Sequence, residues 1–184
     1  ILELQTLSFE EFLQFKDKKL LTIYKTGNYS NIILKQINNY IIKYVVFGGY
    51  PRVVIEQNEK IKIEILKNIY NTYLLREIKD IIDYKDSFKI NKLIQILSFQ
   101  IGNIINQNDI SQKSGIPINE ISGIINVLEK SYVCKMIKPF YKNKRNEIIK
   151  SPKIFFFDLG LRNIVSQEFN SEKIKNSGEI IENF

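Results

Sequence analysis

Apolar residues recur at three- and four-residue spacing along most of the chain, switch to a two-residue period between residues 132 and 157, and then return to helical spacing. The first helix is signalled by Ser8 and Glu11, a capping box, followed by Phe9, Phe12 and Leu13 on one side. Residues 16–30 are polar and contain Gly27-Asn28, the pattern of a loop. Ile33, Leu34, Ile37, Ile41, Tyr44 and Val45 then predict a helix that stops at Phe47-Gly48-Gly49-Tyr50-Pro51. PRVVIEQN begins another short helix, and the longest periodic run extends from about Glu59 to Tyr84. Ser87 caps a helix with Phe88, Leu93, Ile94, Leu97 and Ile101 apolar. After the period-two stretch, a short helix covers Leu161 to Ser166, and a last one begins at Ser177 with Ile180, Ile181 and Phe184 apolar.

Residues 103–157 have the order of a winged helix. A short helix fits Asp109 to Lys113 with Asn108 as N-cap, Gly115 supplies a left-handed stop, and Pro117 opens the next helix. That helix carries Ile118, Ile121, Ile124, Ile125 and Leu128 as one stripe. YVCKMIKPF and EIIKSPKIFFF alternate with a period of two, and NKRN lies between them as a turn. Helix, tight turn, helix and hairpin together predict a winged helix-turn-helix. The expected fold is therefore mainly α: a helical region at 1–86, a winged helix with a β-hairpin wing at 87–157, and the start of a third domain at 158–184.

Charge sharpens the picture. Ser131 to Lys153 holds seven cations (Lys135, Lys138, Lys142, Lys144, Arg145, Lys150 and Lys153) against the single acid Glu147, so this stretch carries +6 of a whole-chain +7. A basic hairpin beside a helix-turn-helix is the electrostatic footprint of a duplex-binding wing. On that basis Asn119, Ser122 and Asn126 face a DNA groove while Lys142, Lys144 and Arg145 contact phosphates. The competing interpretation is a solvated hairpin on a protein-docking module, since the recognition helix offers no arginine for guanine.

Composition excludes several classes. The 184 residues contain no histidine and one cysteine, Cys134, which removes His-based acid/base catalysis, most zinc sites and an intrachain disulfide. Together with the absence of a signal peptide or an apolar run near the roughly 20 residues needed to span a bilayer, this points to a reducing, cytoplasmic setting without membrane partners. No glycine is followed by lysine, so the phosphate loop of P-loop nucleotide-binding proteins is missing. Glu77, Asp80, Asp83 and Asp86 recur every three residues, a pattern that fits a solvated helix end better than a cation site. Asp158 is a lone carboxylate after KIFFF and reads as a helix cap. Arg76, inside LLREI, is expected to pair either with Asp80 one turn on or with an acid on a neighbouring element. No catalytic residue, metal ligand or cofactor is expected within the chain.

Seven landmarks stand in order: LSFEEFL at 7–13, GGYP at 48–51, LLREI at 74–78, the winged unit, PFYKN at 139–143, KSPKIFFFDLGLRN at 150–163 and GEIIEN at 178–183. This set resembles the prokaryotic AAA-type ATPases that carry a C-terminal DUF4143 region. The resemblance implies a preceding P-loop domain, with ATP and Mg as cofactors of the intact parent, and a following domain of the PD-(D/E)xK nuclease-like kind. It implies that Glu182 matches the first acidic residue of that nuclease-like core. The chain would then be the middle of such a protein, with double-stranded DNA and the adjacent ATPase and nuclease-like domains as partners.

Overall fold

The structure, a computed structural model, describes residues 5–76, 78, 87–139 and 151–184. The fold is mainly helical with a two-stranded antiparallel sheet. Its helices are α1 (Phe9–Lys16), α2 (Lys18–Tyr24), α3 (Asn31–Phe47), α4 (Pro51–Ile55), α5 (Glu59–Asn68), α6 (Ser87–Phe99), α7 (Gln107–Ser114), α8 (Ile118–Lys130), α9 (Leu159–Ser166), α10 (Ser171–Lys175) and α11 (Gly178–Asn183). Strands β1 (Cys134–Ile137) and β2 (Lys153–Phe156) lie between α8 and α9.

Local signals account for most helix starts. Ser8 and Glu11 form both halves of the capping box, and Phe9, Phe12 and Leu13 are buried. Residues 16–30, expected as a loop, instead hold α2. Asp17 accepts from the Leu20 backbone N–H and so starts a new helix one residue after α1 ends, with Leu20 and Leu21 buried. The long run after Glu59 is α-helical to Asn68 and again at Leu75, Arg76 and Ile78. It widens to a π-helix over Ile69–Leu74, where buried Tyr70 donates to Asn91 Oδ1 at 2.9 Å. Its expected continuation through Tyr84, including Glu77, Asp80, Asp83 and Asp86, lies outside the described residues; Arg76 is exposed.

Two apolar clusters hold the molecule. The smaller is aromatic and joins α1, α2 and α3: Phe9 meets Tyr24, Tyr44 and Phe184 edge-on with ring centroids 5.2–5.6 Å apart. The larger runs from Val45 through the isoleucine and leucine faces of α6, α7 and α8 to Ile180. This cluster draws residues from each of the three expected segments, 1–86, 87–157 and 158–184. α9 is its centre, with every residue from Leu159 to Ser166 buried. Five apolar expectations fail: Phe88 is 73% exposed, Ile118 46%, Leu34 43%, and Ile181 and Phe184 42% each.

Candidate nucleic-acid interface

The α7–α8 pair is built from its caps inward. Asn106, not Asn108, is the N-cap of α7: its Oδ1 accepts from Asn108 N at 2.9 Å and Asp109 N at 3.4 Å, so the helix starts two residues earlier than expected. Gly115 ends α7 with φ 74° and ψ 19°, the left-handed conformation that the sequence pattern calls for. Ser111 Oγ donates across the turn to Ile116 O at 2.6 Å. Pro117 then precedes α8, whose Ile121, Ile124, Ile125 and Leu128 are buried.

The face opposite that stripe is polar and open. Asn119, Ser122 and Asn126 are all exposed. Ser122 Oγ donates to Gln107 Oε1 at 3.1 Å, linking the middle of α8 to the start of α7. The acids nearby are occupied: Asp109 pairs with Lys113 at 2.8 Å, and Glu129 Oε1 accepts from Met136 N at 2.9 Å, tying α8 to β1. The face therefore offers amide and hydroxyl groups together with one half-buried carboxylate, Glu120, in the first turn of α8.

β1 and β2 pair with Cys134 opposite Phe156 and Ile137 opposite Lys153. Residues 101–105, expected only as the end of α6 and a connection, run along the other edge of β2: Gly102 N donates to Ile154 O at 2.8 Å and Ile105 N to Pro152 O at 3.0 Å. Lys135, on β1, and Lys138, just past its end, are exposed; Lys135 lies 3.9 Å from Glu129, and Lys153 is held by Glu182 at 2.6 Å. Lys142, Lys144, Arg145 and the NKRN turn lie outside the described residues. Cys134 is buried, and burial with Glu129 nearby pushes its thiol up to about 12, so it is a core side chain rather than a nucleophile.

A second polar constellation was legible in the sequence only in part. Asp158 is the expected cap, accepting from Leu161 N at 2.8 Å. It also accepts from Gly49 N at 2.7 Å, across 109 residues of sequence. Burial lifts its carboxyl to about 6, against the pull of these backbone N–H groups. Asn163 Nδ2 donates to Val45 O and Val46 O, both at 2.9 Å, which satisfies carbonyls at the end of α3. Arg162, only 4% exposed, donates through Nε to Ser98 O at 2.9 Å and pairs with Glu168 at 2.9 Å. The glycines of this motif are sites of close approach: a Cβ on Gly160 would overlap Phe47 O, and one on Gly48, at φ 75°, would overlap Asp158 Oδ1.

GEIIEN has a similar packing role. Asn183 accepts from Phe156 N at 2.7 Å and donates back to Phe156 O at 2.9 Å, while Glu182 holds Lys153, so α11 is fastened to β2. Among the described residues no group of three or more acids and cysteines could hold a metal ion, and no helix is long and apolar enough to cross a membrane.

The class these features define is a mainly helical domain with a small antiparallel sheet. The chain belongs to the family described as Domain of unknown function (DUF8612), whose model matches residues 38–172. It is 29% identical to an uncharacterized protein of Methanocaldococcus jannaschii over 98% of its own length and 39% of that protein's. It is 25% identical to an uncharacterized protein of Haemophilus influenzae, over 88% of its own length and 38% of that protein's. The chain thus spans about two-fifths of the length of these relatives. No solved structure matches it.

These findings overturn the resemblance to AAA-type ATPases with a DUF4143 region: the family that covers most of the chain is a different one, and neither relative is described as an ATPase. Three of the landmarks behind that resemblance have a packing role in the structure. LSFEEFL is a capping box on an aromatic cluster, and GGYP with DLGLRN is the meeting of α3 and α9 around Asp158. The expected ATP, Mg and nuclease-like neighbours, and the role given to Glu182, rested on that resemblance.

Proposed function

We propose that residues 87–157 act as a winged helix that binds duplex DNA weakly and with little sequence preference. The observation that carries this proposal is α8: its apolar face is anchored in the core while Asn119, Ser122 and Asn126 stand in solvent on the other, in a unit whose β1 carries Lys135 and is followed by Lys138. Element order supports it, with α6, the 101–105 segment, α7, α8, β1 and β2 following one another as in winged helix-turn-helix units. Asparagine suits adenine, but the face has no arginine for guanine, so affinity comes chiefly from phosphates.

Fluorescence anisotropy with a labelled duplex across a salt series tests this. Affinity of about 10⁻⁴ to 10⁻⁶ M at physiological salt is expected. Changing Lys142, Lys144 and Arg145 together to Ala should flatten the slope of log K against log salt by up to roughly 2.7, at about 0.9 per phosphate contact. Unchanged affinity and slope, or no binding at low salt, would leave a protein-docking module as the better reading. That second reading has its own support: Ile104 is 66% and Ile137 51% exposed, and both lie opposite Lys153 on neighbouring edges of β2. In the longer relatives either role would be one part of a larger activity.

A further inference from the structure

Three lysines line one cavity in the N-terminal helices. A cavity of about 220 Å³ opens among α1, α3, α4 and α5, and Lys16, Lys43 and Lys62 line it from three different helices. Lys16 Nζ donates to Val54 O at 2.5 Å and Lys62 Nζ to Val53 O at 2.9 Å. Each of these ammoniums therefore spends one of its three donors on α4 and keeps two. Lys43 Nζ has only the face of Tyr40, 5.8 Å from the ring centroid.

No ion pair within 4 Å joins any of the three to a carboxylate among the described residues. Glu59 lines the same cavity, and the neighbouring Glu56, which accepts from Gln57 N at 2.7 Å and Asn58 N at 2.8 Å, also acts on Lys62, so that two carboxylates stand near three ammoniums. The space is thus left with an excess of positive charge. Lys16 and Lys62 are half-buried and Lys43 is exposed; the ammonium form of Lys16 and of Lys62 is disfavoured first by burial and then by a neighbouring lysine, while Glu56 and Glu59 act in the opposite sense on Lys62. Drawing Lys16 and Lys62 part-way out of water beside one another costs free energy, and the carbonyl contacts and glutamates offset only part of it.

We propose that this cavity binds a phosphomonoester, its phosphate held by the Lys16, Lys43 and Lys62 ammoniums and its organic part packed against the aromatic walls. Lysine serves here as a point charge for phosphate, and the three-helix origin of the cluster matches the three oxygens of a terminal phosphate. The walls are Phe12, Tyr40 and Phe47, so the space is not uniformly polar. At roughly 30 Å³ per water in the liquid, it equals about seven waters, enough for a phosphate and a small substituent. This site is independent of the DNA-binding proposal, since none of its residues belongs to α6–β2.

Calorimetry on the 184-residue chain, with inorganic phosphate and phenyl phosphate at constant ionic strength, reads this directly. Phenyl phosphate should bind saturably and about tenfold tighter than inorganic phosphate, the factor that roughly 1.4 kcal/mol of ring contact supplies. Lys43→Met should abolish binding while its melting temperature without phosphate stays equal to or above that of the parent, because a repelling charge is gone. Lys35→Met, an exposed lysine also on α3, should bind as the parent does. Absence of saturable binding by the parent, equal affinities for the two probes, or undiminished binding by a folded Lys43→Met would each overturn the assignment.

Discussion

α8 and α9 are both short amphipathic-looking helices of the same core, yet they use polar residues in opposite ways. α8 buries only its isoleucine and leucine stripe and leaves Asn119, Ser122 and Asn126 in water. α9 buries everything, including Arg162, Asn163 and Ser166. A polar side chain on α8 is free to meet a partner from outside. On α9 it already has one, because a buried donor or acceptor without a partner costs about 1–3 kcal/mol. The difference is one of position: α8 closes the outer side of the α7–β1 unit, while α9 is wedged between α3, α5 and α6. Polar composition therefore does not by itself locate a binding surface in this family. DLGLRN is the more conspicuous polar motif, and it is the one that faces inward.

The contrast can be broken most severely at Gly160. Alanine there would set its Cβ on Phe47 O, a backbone atom that cannot turn aside, and α9 would have to leave α3. A loss of more than about 4 kcal/mol is expected in urea unfolding, the range of disrupted cores. A variant within about 1 kcal/mol of the parent would show that the α3–α9 contact is not tight.

On α8 the corresponding test is Ile125→Ala, at a position 5% exposed. It should cost about 2–5 kcal/mol, the usual range for a large-to-alanine core change. A cost under about 1 kcal/mol would mean that α8 is not anchored by this stripe.

The smallest effect is the one that distinguishes the two helices chemically, and it lies at Asp158. Its carboxyl titrates at about 6 in the folded chain against 3.8 when unfolded. The folded state then binds the proton more tightly, so the stability this group contributes is fully present below about pH 4 and is lost as pH rises towards 6. The parent minus Asp158→Asn difference in unfolding free energy should fall with pH across that window, by up to about 1.4 kcal/mol per pH unit. A difference that rises across the window would mean that the Gly49 and Leu161 N–H groups outweigh burial and hold the carboxylate ionised.

Features confined to a few neighbouring residues were legible beforehand. The Ser8–Glu11 box, the Gly115 stop, the buried stripe of α8 and the cap at Asp158 depend on spacings of three to five residues, and the chain adopts each of them. α2 escaped notice because Leu20 and Leu21 alone make no periodic pattern; it forms because Asp17 caps it and the aromatic cluster covers it. The resemblance drawn from seven spaced landmarks failed for a related reason. Such landmarks report where chain segments must approach closely, and packing of that kind does not name an activity.

Sequence by itself determined the helical periods, their caps and turns, the concentration of charge in residues 131–153, and the absence of histidine and of a phosphate loop. Tertiary structure alone decided which polar residues are spent inside. Asp158 meets Gly49 and Asn163 meets Val45 and Val46, while at the surface Glu182 meets Lys153 and three lysines from separate helices line one cavity. Local periods arise from backbone geometry over one or two turns, and any window of the chain carries them. Burial of a charge is a property of what covers it, and the covering residues here lie as much as 118 positions away.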